Sequence, residues 1–220
     1  MAEKAEQVLG VDGAKLYPGL LSRAAQEQML EEVLKVVATA PLYRPEMPKT
    51  GRPMSVEMTN AGTLGWVTDK AHGYRYQETH PVTGAPWPAI PQTLLGLWQF
   101  VAGYSAPPEA CLVNYYGPDA KMGLHQDKDE IALDAPVVSV SLGDDALFKV
   151  KGPDRSGPTS WSVKLNSGDV VVLAGKARMY FHGIDRTYPG TSTLLPRDTF
   201  PDGGRINLTL RRVTHPNGDA

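Results

Sequence analysis

Residues 205–213 read RINLTLRRV. Ile206, Leu208 and Leu210 alternate with Arg205, Asn207, Thr209 and Arg211, so an extended chain puts the aliphatic set on one face and the polar set on the other. The alternation predicts a β-strand with one face in a core. Working back from it, the same period of two runs through ACLVNYY (110–116), PVVSVSLG (136–143), 146–151, 161–165, DVVVLA (169–174) and 178–182, each closed by Gly, Pro or Asp turns. Helical patterns sit earlier. Residues 22–39 carry Met29, Leu30, Val33, Leu34, Val36 and Val37 as an apolar stripe, with Ser22 as N-cap and Pro41 as the stop. A second helix is expected at 91–103, opened by Pro91 and carrying Leu94, Leu95, Leu97, Trp98 and Val101. Strands massed behind helices predict an α+β fold whose second half is a double-sheet jelly roll or a barrel.

Between the helices, residues 41–91 hold eight of the 19 prolines together with Tyr43, Trp66, Tyr74, Tyr76 and Trp87. Linkers are not aromatic, so this segment reads as hairpins and loops. Gly and Pro together supply 41 of the 220 residues (22 + 19), which means many turns and argues against a helix bundle. The length suits one large domain or two small ones. Net charge is −2 (22 basic, 24 acidic), which excludes a bulk polycation but not a local basic groove. Cys111 is the single cysteine, so no internal disulfide and no cysteine-built zinc or iron–sulfur site can form, and a reducing cytoplasm is the expected setting. No leader pattern opens the chain, no apolar run reaches membrane-spanning length, and Thr214–Ala220 reads as a frayed tail.

The chemistry-bearing residues begin with GLHQDKDE (123–130). In an extended segment His125 and Asp127 point the same way, but alone the pair reads best as a polar loop with a solvated Asp. His182, 55 residues later in RMYFHGI, alone reads best as a satisfied core histidine at a strand end closed by Gly183. Together the three supply two imidazoles and one carboxylate, the facial set that leaves open positions on non-haem Fe(II). His72, His80 and His215 fall near loops or the tail and carry no such pattern. Arg205 and Arg211 lie six residues apart on one strand face, roughly 20 Å at ~3.3 Å per residue. Leaning inward, their guanidinium forks leave room for a small dicarboxylate, to which Asn114 and Tyr116 add an amide and a phenol. A solvated face is the equal alternative. Two imidazoles, a carboxylate and an Arg-bearing strand form the donor set that a 2-oxoglutarate oxygenase needs.

LVNYYGPDAKMGLHQDKDE (112–130), PVVSVSLG (136–143), SGDVVVLAG (167–175), FHGI (181–184) and RINLTLR (205–211) resemble, in order, the bacterial AlkB alkylation-repair dioxygenases. MTNAGTLGW (58–66) and PWPAIP (86–91) extend the resemblance, which covers about residues 50–212. It implies a single domain over 1–220 with a double-stranded β-helix (jelly-roll) core, flanking front helices and a nucleotide-recognition lid at about 41–91. It also implies an enzyme using Fe(II), 2-oxoglutarate and O2 to hydroxylate an N-alkyl carbon of a nucleobase, which then loses an aldehyde. By position His125, Asp127 and His182 match the iron ligands, and Asn114, Tyr116, Arg205, Asn207 and Arg211 the 2-oxoglutarate contacts. Trp66 with His125 would sandwich the damaged base, and Asp129 would reach its polar edge. Met58, Tyr74, Tyr76 and Arg155 fall where the family lines the base pocket or holds phosphates. The loop 151–160 and the stretch from Trp66 to Gly73 depart from the family pattern.

The residues of the lid agree in kind. Gly62 and Gly65 before Trp66 allow another surface to approach closely. Lys121, Lys128, Lys149, Lys151 and Arg155 are expected to rim the mouth, whereas Trp87 and Trp98 read as small-core aromatics. The expected partner is alkylated DNA, single-stranded in preference, or RNA, bound by a cytoplasmic monomer with no membrane attachment. The alternatives are an oxygenase acting on RNA or protein and a non-catalytic nucleic-acid-binding module.

Overall fold

The computed structural model describes residues 6–9, 12–157 and 159–216. The chain's first five residues and the tail end 217–220, expected to be frayed, lie outside the described residues; Thr214 itself is tied down, its N–H donating to Glu109 (2.7 Å). In chain order the elements are β1 (Gln7–Val8), β2 (Ala14–Tyr17), α1 (Arg23–Thr39), β3 (Glu57–Gly62), β4 (Gly65–Asp69), β5 (Gly73–Gln77), α2 (Gln92–Val101), β6 (Ala110–Tyr116), β7 (Met122–His125), β8 (Val137–Gly143), β9 (Asp145–Lys151), β10 (Thr159–Leu165), β11 (Val170–Leu173), a 3-10 turn (Gly175–Met179), β12 (His182–Tyr188) and β13 (Arg205–Arg211).

Three layers result. The large antiparallel sheet runs β1-β2-β11-β8-β13-β6-β3 and the small one β10-β9-β12-β7, while β4 and β5 form a separate hairpin. On one face of the large sheet Cys111, Val113, Val138, Val140, Ile206, Leu208 and Leu210 pack against Met29 and Val33 of α1 and Leu94 and Trp98 of α2. Its other face meets the small sheet through Leu112, Val137, Val171, Phe148, Val150 and Ile184. Ser22 caps α1, its hydroxyl accepting from the Ala25 N–H (3.3 Å). This is the expected α+β jelly roll, and it settles the double-sheet alternative over a closed barrel.

Strand β13 lies at the middle of the large sheet with both faces covered. Arg205, Asn207, Thr209 and Arg211 are 0, 8, 7 and 6% exposed, so their polar face is not solvated. It turns inward, between the sheets, opposite Tyr116 and Asn114 of β6 and Ser139 and Ser141 of β8.

Three expectations change. Residues 178–182 are not a strand: Gly175, at φ +49°, opens a 3-10 turn, and strand β12 starts at His182 and runs on to Tyr188. Gly183 therefore does not end a strand. A Cβ there would strike the Met122 carbonyl, so glycine lets β7 lie close beside β12. Within the segment 41–91, β3 is the edge strand of the large sheet. The surface that Gly62 and Gly65 admit is the protein's own: the Glu109 carbonyl against Gly62 and the Trp87 ring against Gly65. Trp87 and Trp98 are buried, as expected, and His80 is a satisfied core histidine whose Nε2 meets the Pro41 carbonyl (2.8 Å).

Candidate active site

His125 ends β7 and His182 opens β12, and these two residues face each other in the register of the small sheet. Asp127 follows two residues after His125. The candidate ligand atoms of the three lie within 4.8 Å of one another. His125 Nε2 is 3.6 Å from Asp127 Oδ1, and His182 Nε2 is 3.5 Å from Asp127 Oδ2. Each ring is fixed by its other nitrogen, Nδ1 of His125 on the Gly123 carbonyl (2.9 Å) and Nδ1 of His182 on the Tyr180 carbonyl (3.1 Å). A carbonyl only accepts, so Nδ1 carries the hydrogen and the Nε2 lone pair points at Asp127. Burial and the facing His182 lower the His125 pKa to about 4, which keeps it neutral at pH 7. Burial acts to raise the Asp127 carboxyl, but the Arg211 guanidinium holds it well below the ordinary range. Two imidazole lone pairs thus converge on an ionised, buried carboxylate, one oxygen of which, Oδ2, has no hydrogen-bond partner. That donor set fits a divalent cation with nitrogen and oxygen preference and leaves the solvent side open.

The strip between the sheets runs from this triad along β13. Arg211 sits at the near end, donating to Asp127 Oδ1 (2.6 Å) and Glu130 Oε1 (2.9 Å). These carboxylates raise its pKa above the ordinary arginine value despite burial. Arg205 sits at the far end, fully buried, with only Ser141 Oγ (2.7 Å) and the Asp144 carbonyl (3.4 Å) as partners and no carboxylate in ion-pair range among the described residues. Burial lowers its pKa to about 10, so it stays cationic at neutral pH. Beside it burial raises the Tyr116 phenol to about 12, which keeps that group a donor. Among the described residues, four of the seven buried side-chain polar atoms without a partner lie along this strip: Arg205 Nε, Asn114 Oδ1, Arg211 Nε and Asp127 Oδ2. Buried polar groups are normally paired, so a row of unpaired ones marks a slot built for a polar ligand. An unmatched cation at the far end and a second Arg beside the candidate triad fit a keto-dicarboxylate such as 2-oxoglutarate. Asn207 is committed to Ser139 and the Val140 carbonyl, and it orients Thr209 and Asn114 within the strip.

The β4–β5 hairpin stands over the loop that follows β7. Trp66 and Tyr76 are cross-strand partners, and each reaches that loop. Trp66 Nε1 donates to Asp129 Oδ2 (2.8 Å), and Asn60 pins the Trp66 backbone on both sides (3.0 and 3.1 Å). Tyr74, half-exposed, stacks on Trp66 with centroids 5.5 Å apart and planes 23° apart. The Tyr76 hydroxyl donates to Glu130 and accepts from Arg211 (3.1 Å). Met58 is 2% exposed, opposite Asn114 in the sheet, and forms part of the buried wall. Arg155 is exposed on the β9–β10 loop. Of the expected basic rim, Lys149 belongs to the small sheet's outer face, paired with Asp185 (2.9 Å), because Ala146, Phe148 and Val150 take the inner positions of β9. Glu130 and Arg178 are buried residues of the site that the sequence reading passed over.

Comparisons with known proteins agree with this architecture. Residues 13–211 match the family described as the 2OG-Fe(II) oxygenase superfamily. The chain is 50% identical over 205 residues to the alpha-ketoglutarate-dependent dioxygenase AlkB homolog of Caulobacter vibrioides, covering 92% of this chain and 89% of the relative. It is 46% identical over 193 residues to the alpha-ketoglutarate-dependent dioxygenase AlkB of Escherichia coli, covering 86% and 85%. Among solved structures OsALKBH1 superposes with a TM-score of 0.75 at 30% identity, covering 94% of this chain and all of that one. The chain therefore belongs to the AlkB family of 2OG-Fe(II) oxygenases and is an Fe(II)- and 2-oxoglutarate-dependent dioxygenase.

Proposed function

We propose that this chain oxidatively demethylates N-alkylated nucleobases, 1-methyladenine and 3-methylcytosine, in DNA, and that it takes single strands in preference to duplex. The AlkB relatives support the reaction class. The observation that carries the base specificity is the Trp66–Asp129 hydrogen bond, which sets an aromatic plane and a carboxylate edge beside the metal triad. In this reading His125, Asp127 and His182 hold Fe(II), while Asn114, Tyr116, Arg205, Asn207 and Arg211 hold 2-oxoglutarate. Bound iron, 2-oxoglutarate and O2 supply a hydroxylation of the N-alkyl carbon that ends in succinate, CO2, an aldehyde and the restored base.

The protein's own part is positioning. Asp129 spends one oxygen on Trp66 and keeps the other for the exocyclic amino group of the base. Trp66 presents its indole face to the ring, and Tyr74 stacks on it as a second layer. Both lesions carry a formal positive charge at neutral pH, which gains from Asp129 and from cation–π contact with Trp66. The methyl also blocks pairing, so lifting such a base from its stack costs less than lifting a normal one. Met58 closes the pocket wall, Tyr76 supports the Arg211 end, and Arg155 with Lys128 offers cations to the phosphates. The chain acts as a monomer in the reducing cytoplasm, consistent with its single, buried Cys111.

The test is aldehyde release from oligonucleotides bearing one lesion each, at fixed salt, because the phosphate contribution falls steeply as salt rises. Turnover of 1-methyladenine and 3-methylcytosine, faster in single strands and slower with the neutral 1-methylguanine, is expected. Succinate formed with peptides while both methylated bases stay intact would replace the repair reading by protein hydroxylation. Activity confined to RNA would keep the mechanism and change the substrate. Binding without any succinate would leave a nucleic-acid-binding module.

Trp66→Ala should weaken binding of methylated oligonucleotide by about tenfold or more, since base–aromatic stacking is worth ~1–3 kcal/mol. Iron binding should survive. A variant with wild-type affinity and rate would make Trp66 a core residue, not a platform.

A further inference from the structure

The three candidate ligands come from two segments of chain, the loop after β7 and the start of β12. Sheet pairing of His125 with His182 aligns their backbones, but Asp127 lies beyond the strand. Two side-chain bridges join its loop to the 3-10 turn that precedes His182. Gln126 Nε2 donates to the Met179 carbonyl (2.6 Å). Arg178 spreads its whole guanidinium over the same loop: Nε donates to the Ala135 carbonyl (3.0 Å), one terminal nitrogen to the Asp127 carbonyl, the other to Glu130 Oε2 (3.0 Å). Arg178 is 2% exposed, and neither the Arg178 nor the Glu130 side chain has more than a trace of solvent contact.

Glu130 then works in the other direction. Its Oε1 accepts from Arg211 and from the Tyr76 hydroxyl. Arg211 is thereby shared between two carboxylates instead of closing on Asp127 alone. Asp127 gives Arg211 one oxygen, and its other, Oδ2, is left for a cation. The four charges Asp127, Glu130, Arg178 and Arg211 balance to zero within this buried cluster.

We propose that Arg178 and Glu130, assisted by Gln126, are positioning residues of the metal centre. They fix the separation of the Asp127 loop from the His182 turn and keep Asp127 Oδ2 directed at the ion. The inference rests on reading the triad as the metal site. It calls for an arginine in particular, because three donors in one plane reach three acceptors, which a lysine ammonium cannot reproduce.

The test is titration of metal-free protein with cobalt(II), followed by its visible absorbance, which reports both affinity and ligand geometry. Arg178→Lys keeps the charge beside Glu130 and loses the fork. It should bind cobalt about tenfold or more weakly, the usual scale for groups that orient metal ligands, with an altered spectrum. Gln126→Ala uncovers no buried charge and should shift affinity in the same direction by about fivefold, one hydrogen bond's worth. Measured well below the melting temperature of each variant, cobalt affinity is untouched by a role in folding alone. A folded Arg178→Lys variant with wild-type affinity and spectrum overturns the proposal. If that variant does not fold, wild-type affinity in Gln126→Ala overturns it equally. Wild-type protein that takes no cobalt overturns the metal reading itself, whereas wild-type that binds while the variants match it removes only the positioning role.

Discussion

His182→Ala abolishes succinate formation and, in the same preparation, lowers metal affinity by about 100-fold or more; His125→Ala and Asp127→Ala do the same. Each removes one of three protein ligands, and loss of a ligand exceeds the 10- to 100-fold cost of disturbing a group that merely orients one. The three variants differ in a second measurement. His125 is neutral at pH 7, so its removal breaks no ion pair, and the melting temperature of metal-free protein should hardly move. Asp127 is buried and binds Arg211 at 2.6 Å. Asp127→Ala takes one of the two carboxylates from that guanidinium, and breaking a buried pair costs about 3–5 kcal/mol, so this variant should melt well below the others. Near-wild-type demethylation by any one of the three would remove that residue from the ligand set.

How far the sequence predicted this arrangement depended on whether a side chain's surroundings were set by its own strand. In β13 the alternation was legible because both faces are buried for different reasons, Ile206, Leu208 and Leu210 against the helices and Arg205 to Arg211 against the polar strip. Asn114 and Tyr116 followed from the same period on β6, and the register places them opposite Asn207 and Arg205. The triad was legible as a set of residue types, although His182 lies at the start of its strand and not at its end.

What stayed hidden depended on chain folded from elsewhere. The alternation His125, Asp127, Asp129 drew attention to one side of an extended run and away from Glu130, whose burial depends on Arg178 and Arg211 arriving from distant segments. Arg178 sits in a stretch whose apolar neighbours Met179, Tyr180 and Phe181 imitate a strand, and only the left-handed Gly175 announces the turn. Tyr76 has the composition of a base-stacking residue. Its hydroxyl direction, toward Glu130 and Arg211, is set by the hairpin's docking, which no local pattern encodes. The glycines before Trp66 signalled close approach correctly, but a sequence does not say whether the approaching surface is a ligand or, as here, Trp87.

Arg205→Ala should raise the apparent constant for 2-oxoglutarate by about 10- to 100-fold, the scale of a lost hydrogen bond to a charged group at ~1.5–3 kcal/mol. Arg205 tests this slot more cleanly than Arg211. Arg211 also holds Asp127 and Glu130, so its removal would damage the metal centre together with the co-substrate site. Among the described residues the Arg205 side chain hydrogen-bonds only Ser141 and the Asp144 carbonyl, neither of them in a ligand loop. It is also a buried cation without a carboxylate, and its pKa, depressed to about 10, records the cost of that burial. Replacement by the apolar Arg205→Met should therefore leave the melting temperature of the ligand-free protein level or raise it. Added 2-oxoglutarate should stabilise wild type and fail to stabilise the variant, since a ligand stabilises only in proportion to its affinity for the folded state. Arg205→Lys should recover little, because one ammonium cannot replace a two-pronged grip on a carboxylate. Cobalt binding in all three Arg205 variants should match wild type, which separates the far end of the slot from the metal. An unchanged 2-oxoglutarate titration in Arg205→Ala, with cobalt binding intact, would mean that the buried cation serves the sheet and that the far carboxylate is held elsewhere.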